Sequence, residues 1–446
     1  MPTTEMANAF PRKRFFMEMF TRDISLEDCI LDLIDNSIDS LVRQKEIDPA
    51  ADILKRVRRP KNKEPLPLIS LKLSEKEISI SDNCGGIPPS QVLTEVFSFG
   101  HDEGASLGQL GAYGIGLKRA IFKIGEDFEM RSLTAVGGFD AKMDVLLWAE
   151  KDDAMEDWKV PIHITGPERK GPFGTSIKFK TLRDEVKMRL RDGAFLGKLS
   201  SEIAKTYALF LEEIVRVEVN GSKVEPMLLP IASSDDAKPG QVEFTKGDVK
   251  VRIIATLAER KDQEWAYERA GWYVLCNGRI VLSADKSELT GWGEGLPRYH
   301  SKYNGFVGIL VFRSRKPLAL PWTTTKRGLN RESPVFQSAK VEMVMLARPI
   351  ISFLNGMYPG ELFESIPERR IAEKVKAADI RDLASKRPAP FELKKGKVEA
   401  KTTTKVQYEA ELKDVERIRR AVQKPKWSAN RIGRHTFEHF LKTECP

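Results

Sequence analysis

The stretch Leu26-Glu-Asp-Cys-Ile-Leu-Asp-Leu-Ile-Asp-Asn-Ser-Ile-Asp-Ser40 decides how the rest of the chain is read. Its apolar residues Leu26, Cys29, Ile30, Leu33, Ile34 and Ile38, continued by Leu41 and Val42, recur at three- and four-residue steps, the period of one buried helix face. Ser25 followed by Asp28 predicts an N-cap with a capping-box partner. The opposite face is unusual, because from Asp23 to Val42 there are six acids (Asp23, Glu27, Asp28, Asp32, Asp35, Asp39) and no Lys or Arg. Acids four apart, Asp28/Asp32 and Asp35/Asp39, repel by about a few tenths of a kcal/mol on a lone helix. A solvated structural helix interleaves cations, so this face is expected to meet a cation from outside the chain; an ordinary acidic surface helix is the competing reading. Asp32 and Asn36 stand one turn apart, a geometry that suits an acid activating water beside an amide oxygen holding Mg²⁺.

Outward from this helix, the polar, Pro-rich segment 55–67 reads as a surface loop. LISLKLS and EISISD then alternate apolar and polar residues as two short strands, and the second runs into Asp82-Asn-Cys-Gly-Gly-Ile-Pro88. An acid at a strand end followed by a Gly pair lets the backbone turn tightly and leaves room for a flat ligand, whose exocyclic amine the acid can accept; a plain acidic turn is the alternative. Residues 97–118 carry six glycines (Gly100, Gly104, Gly108, Gly111, Gly114, Gly116) and lead into the helical run LKRAIFKIG. Glycines just before a helix make a mobile loop whose last amides cradle phosphate, and Lys118 in the first turn adds charge. Neither GxxxxGK[ST] nor GxGxxG occurs, which argues against a P-loop and a Rossmann site.

These three signals in this order resemble the GHKL ATPase superfamily of gyrase, 90-kDa heat-shock chaperones, histidine kinases and MutL. Asp28 to Asp39 matches its N box, Asp82-Asn-Cys-Gly-Gly-Ile its G1 box, Gly111-Ala-Tyr-Gly-Ile-Gly116 its G2 box, and Gly174-Thr-Ser-Ile-Lys-Phe179 the last of the set. The resemblance implies a two-layer α/β ATP-binding sandwich with ATP and Mg²⁺ as cofactors. By it Asn36 holds Mg²⁺, Asp82 binds the adenine amine with Gly86 among the nucleotide-binding residues, and Thr175 supports adenine through water. Gly111, Gly114, Ile115, Gly116, Leu117 and Lys118 would surround the phosphates. The chain departs from the family twice: Asp32 stands where the family's general base is Glu, and Cys84 replaces the usual first glycine of G1.

Beyond this fold, residues 187–213 read as one or two helices. IVRVEVNG, QVEFTKGDVKVRIIATLAE, WYVLCNGRIVLSAD and GFVGILVF then read as strands of a second α/β domain, with Asn220-Gly221 and Asn277-Gly278 as turns. The segment Leu320-Pro-Trp-Thr-Thr-Thr-Lys-Arg-Gly-Leu-Asn330 resembles the transducer domain of gyrase, MutL and type IIB topoisomerases, which implies a catalytic lysine reaching the γ-phosphate. Lys326 is the candidate and Arg327 its rival. The expected domains are therefore an ATP-binding domain at 1–185, a transducer-like domain at 186–334, and a helical C-terminal region at 335–446 with a polar linker at about 386–406.

Composition bounds the rest. No run of about eighteen apolar residues is present to span a membrane and the N-terminus lacks a signal-peptide core, so the expectation is a cytoplasmic protein. Four cysteines without CxxC spacing read as reduced thiols rather than a zinc or disulfide framework. Of the net charge of +9, about +7 lies in residues 377–446, which suggests a polyanionic partner or a solubilising tail. His435-Thr-Phe-Glu-His439 formally matches HxxEH, but no downstream acidic ligand follows it. The expected function is an ATP-binding, ATP-hydrolysing conformational switch, a homodimer on ATP binding, acting on a DNA or protein client. A non-hydrolysing nucleotide-gated adaptor and a histidine or protein kinase are the alternatives.

Overall fold

The computed structural model describes residues 12–48, 53–55, 65–99, 110–111, 113–151, 158–167, 171–260, 264–357, 367–393, 406, 408–425 and 427–445. The chain divides into two compact units, Met1–Lys395 and Gly396–Pro446. Most of the glycine-rich loop, including Gly100, Gly104 and Gly108, and most of the polar 55–67 loop lie outside the described residues.

In the first unit α1 (Lys13–Thr21) precedes α2 (Leu26–Gln44), and the expected capping box forms. Ser25 Oγ accepts the Asp28 amide at 3.1 Å, and Asp28 Oδ2 accepts the Ser25 amide at 3.2 Å. The predicted apolar face is buried as expected, but Asp32, Asp35 and Asp39 are buried too. The acidic face of α2 therefore looks into the protein, where its charges need partners.

An eight-stranded sheet carries this helix. Its strands are β1 (Leu68–Leu73), β2 (Glu77–Asp82), β3 (Gly125–Thr134), β4 (Gly137–Asp144), β5 (Ile162–Thr165), β6 (Gly174–Leu182), β7 (Arg216–Val219) and β8 (Ser222–Lys223). They lie in the order β5-β4-β3-β6-β2-β1-β7-β8. The helix α3 (Gly116–Ile124) packs against α2 and against β3 and β6. Sheet and helices together form the two-layer α/β arrangement expected from the sequence. One expected boundary is not followed: RVEV of β7, read as part of the second domain, pairs in parallel with β1, with Leu68 opposite Arg216. The reason is that its alternating burial does not say which sheet it joins; α5 (Ala208–Glu213), which follows α4 (Phe195–Thr206), packs against it.

A second sheet follows, built from β9 (Ile231–Ser233), β11 (Gly240–Lys246), β12 (Val249–Ala258), β13 (Gly271–Cys276), β14 (Arg279–Asp285), β15 (Phe306–Arg313) and β16 (Lys376–Ala377). The path runs β14-β13-β15-β12-β9-β16, with β11 on β12. Asn277 and Gly278, between β13 and β14, have φ of 47° and 87°, the two left-handed positions that a tight hairpin turn requires. The 23-residue helix α6 (Pro334–Gly356) packs on β11, β12 and β15. The region 335–446 is thus not one helical tail: α6 and β16 complete the second sheet's layer, and β17 (Glu392–Leu393) pairs with β10 (Ala237–Lys238) inside the expected linker.

In the second unit α7 (Leu412–Ala421) contacts α8 (Ala429–Glu444). His435 packs on Trp427 at 5.5 Å between ring centroids, and no cluster of three or more His, Cys, Asp or Glu suited to a metal exists among the described residues. The described helices include none long and apolar enough to cross a membrane. Cys29, Cys84 and Cys276 are buried free thiols, while Cys445 is free and exposed.

Candidate functional site

One cleft lies between α2, the end of β2, the N-terminus of α3, β6 and a loop from the second domain. It is lined by Asp32, Asn36, Asp82, Gly111, Gly114, Ile115, Gly116, Leu117, Lys118, Thr175 and Lys326. These are all of the residues singled out from the sequence except Gly86. That glycine stands behind the wall, where its carbonyl accepts Ser40 Oγ at 2.9 Å. A Cβ at Gly86 would fall 2.2 Å from the Leu133 carbonyl oxygen, and its φ is 72°. Only glycine lets the chain pass here.

At one end of the cleft Asp82 closes β2. Its carboxylate accepts Ser37 Oγ at 2.7 Å, the Cys84 amide at 2.9 Å and the Thr175 amide at 3.3 Å. Burial pushes this carboxyl above its usual range, and those three neutral donors pull the other way. Cys84, which replaces a glycine of the family pattern, is fully buried; the left-handed positions belong to Gly85 and Gly86. The turn therefore keeps its shape with a side chain at 84. Thr175 Oγ1 lies 2.9 Å from Ser132 Oγ, which also accepts the Ile87 amide at 2.7 Å. The Gly174 position is as tight as Gly86, since a Cβ there would sit 1.9 Å from the Asp82 carbonyl oxygen.

At the other end α3 begins at Gly116, pressed against α2: a Cβ at Gly116 would meet Asp32 Cβ at 2.8 Å. The first-turn amides of a helix have no carbonyl behind them, and here they face the cleft beside Lys118. Lys118 is 4% exposed, its Nζ donates to the Gly114 carbonyl, and burial brings its ammonium down to about 8. Asp39 accepts the Leu110 and Gly111 amides, each at 2.7 Å, and so holds the end of the glycine loop. Burial pushes Asp39 up to about 7 despite those two amides.

The buried acids of α2 find their cations in the second domain. Lys326, at φ 55°, places Nζ 2.9 Å from Asp32 Oδ1 and 2.6 Å from Asp35 Oδ2. Arg279 Nε donates to Asp35 Oδ1 at 3.1 Å, and Tyr207 OH reaches the same oxygen at 2.7 Å. Burial opposes the charge on Asp35, yet Arg279 and then Lys326 hold its carboxyl below the ordinary range. Burial likewise opposes the charge on Lys326, and Asp32 with Asp35 holds it above the ordinary range. Arg327, the rival cation, turns instead to Asp28 and to Glu202 at 3.7 Å. The cation that the acidic face of α2 was expected to receive from outside the chain thus comes, in part, from within it.

Asn36 finds no hydrogen-bond partner among the described residues, and its amide oxygen stands 3.3 Å from where a Cβ on Gly111 would be. Its amide oxygen lines the cleft with Asp32. Mg²⁺ is a hard cation that keeps water and takes one or two protein oxygens together with substrate phosphates, so this donor set fits it only with a phosphate in place.

A buried acid backed by neutral donors at one end, and a helix N-terminus with a lysine at the other, suit the base and the phosphates of a nucleotide. Residues 24–156 match the model of the family described as histidine kinase-, DNA gyrase B-, and HSP90-like ATPase. The chain carries a GHKL-type ATPase domain, an ATP-binding module, over that segment. Thr175 and Lys326 lie beyond the match. Comparison with curated proteins found no match.

Sequence reasoning missed Ser37, Ser132, Asp35, Tyr207 and Arg279. A serine on a helix has no signature of its own, and the last two are joined to α2 only by folding.

Proposed function

We propose that the chain is an ATP-operated conformational switch that binds Mg²⁺-ATP in this cleft and hydrolyses it. The observation that carries the reading is the meeting of Asp82 at one end with Asp32, Asn36, Lys118 and Lys326 at the other. In this reading Asp82 accepts the adenine amine and Thr175 supports the ring through water. The amides of Gly114 to Leu117, with Gly111 and Lys118, wrap the phosphates. Asn36 would hold Mg²⁺, which when bound neutralises phosphate charge. Asp32 takes a proton from the attacking water; its carboxylate is one methylene shorter than that of Glu, so turnover is slow. Lys326 donates to the γ-phosphate and thereby ties the second, transducer-like sheet to the nucleotide.

Multiple-turnover phosphate release tests this. Release that requires Mg²⁺ and is lost in Asp32→Asn supports the enzyme. Release no greater than a blank leaves the non-hydrolysing adaptor, a reading favoured by the 2.9 Å Lys326–Asp32 contact that occupies one oxygen of the base. Nucleotide-promoted dimerisation belongs to the same proposal and is read by light scattering with a non-hydrolysable ATP analogue. An unchanged mass at all concentrations contradicts it.

A further inference from the structure

Asp35, from the acidic face of α2, and Tyr207 and Arg279, outside every sequence motif, converge on Lys326. Asp35, Tyr207 and Arg279 are each at most 1% exposed. Asp35 holds Lys326 Nζ through one oxygen at 2.6 Å, while its other oxygen receives Tyr207 OH at 2.7 Å and Arg279 Nε at 3.1 Å. Tyr207 OH also lies 2.7 Å from the Leu31 carbonyl, which fixes the phenol against α2. Arg279 Nη1 donates to the Lys326 backbone carbonyl at 2.6 Å. Arg279 therefore governs both ends of the lysine, the main chain directly and the ammonium through Asp35.

The charges make this more than packing. Two carboxylates, Asp32 and Asp35, face two cations, Lys326 and Arg279, with no water-exposed member. If Lys326 turned its Nζ away from this cluster with nothing else on Asp35, a buried carboxylate would be stranded, which is prohibitive. Arg279 and Tyr207 remove that obstacle, since Asp35 keeps both donors on its other oxygen. A phosphate in the cleft can then compete with Asp32 for Nζ while Asp35 keeps Arg279 and Tyr207. The left-handed backbone at Lys326, unfavourable for a side-chain-bearing residue, persists because Arg279 holds its carbonyl.

We propose that Arg279 and Tyr207, acting through Asp35, are positioning residues that keep Lys326 aimed at the γ-phosphate and so set the preference of the cleft for ATP over ADP. The inference rests on the ATPase reading above. Neither residue lines the cleft, so their loss is expected to change how well the third phosphate is read and to leave the grip on adenine alone.

The test uses the full chain and titration calorimetry with a Mg²⁺-bound non-hydrolysable ATP analogue and with Mg²⁺-ADP, alongside phosphate release and a melting curve. Arg279→Lys is expected to keep ADP affinity within about twofold while lowering the ATP-to-ADP affinity ratio about tenfold, with a parallel fall in turnover. Tyr207→Phe removes one hydroxyl, shifts the ratio the same way by a smaller factor, and carries the test if Arg279→Lys does not fold. Adding Arg279→Lys to Lys326→Met should lower the ratio no further, because the two act as one unit. An unchanged ratio in a folded Arg279→Lys or Tyr207→Phe, an equal loss for both nucleotides, or additive effects in the double variant would overturn the positioning role while leaving the ATPase reading intact. A wild-type chain that binds neither nucleotide overturns both.

Discussion

The two ends of the cleft are built by different physics. Around Asp82 every partner is neutral: a hydroxyl and two backbone amides, from α2, the turn after β2, and β6, all within the first sheet and its helix. Around Asp32 and Asp35, besides the Tyr207 hydroxyl, the partners are cations from the second domain, and their bonds span 294, 291 and 244 residues of sequence. Neutral bonds backed by glycines that admit no Cβ make a rigid seat. Buried ion pairs depend on both partners staying in place, and losing one is costly because the other charge is left desolvated. In the proposed reading the difference teaches that the Asp82 end would recognise while the Lys326 end would couple, since the second domain supplies the cations there.

The comparison is broken most severely at Asp32, the proposed general base. Asp32→Asn should lower turnover by about 10²–10⁴-fold, the usual worth of a general base, with analogue affinity kept. Loss of affinity in place of turnover would mean that Asp32 belongs to the binding scaffold. Next in size is Asp82→Ala, which removes a charged acceptor worth about 1.5–3 kcal/mol. ATP and ADP affinities should fall together by roughly 10–100-fold, leaving their ratio unchanged, in contrast to substitutions at the Lys326 end. A change in the ratio would erase the distinction between the two ends.

A smaller effect comes from pH. Burial lowers Lys118 from 10.5 to about 8, so below that pH the folded chain carries the charge that phosphates need and above it the charge is lost. Analogue affinity should therefore fall as pH rises through about 8, by no more than about tenfold per unit for a single proton. Lys118→Met should be weaker at neutral pH and flat on the alkaline side. A wild-type profile flat from pH 7 to 9 would remove Lys118 from phosphate binding.

The least effect is expected from the second unit. Residues 396–446 carry 12 Lys/Arg against 7 Asp/Glu, a net +5. Deleting them should reduce weak, sequence-independent DNA binding at low salt and flatten its dependence on salt concentration. The cut falls at 396 and not at 386 because β17 is paired with β10 in the first unit. Equal affinities across a salt series would leave a protein client as the better partner.

The same contrast explains what the sequence made legible. The capping box of α2, the acid ending β2 and the glycines at 111, 114 and 116 are each written in a few consecutive residues, because caps, turns and strand ends are local events, whereas Thr175 came only with the family resemblance. Lys326 was found by resemblance and Asp35 was visible only as one acid among six. Tyr207 and Arg279 could not be paired with it, since nothing in YALFLEE or NGRIVL marks an attachment to a helix 172 or 244 residues earlier. Ser37 was hidden because a helical serine reads as neutral until the strand end it faces is known. RVEV of β7 was misassigned for a similar reason: alternation reports a half-buried strand but not its sheet. The two-residue strands β16 and β17 are too short to leave any period.

The most direct test of the central claim, that this cleft is an ATP site with its recognition at Asp82, is calorimetric titration of the full chain with a Mg²⁺-bound non-hydrolysable ATP analogue, in the wild type and in Asp82→Ala. The prediction is one site per chain, with affinity reduced at least about tenfold in the variant. Equal affinities in the two proteins, or no binding by a folded wild type, would contradict it.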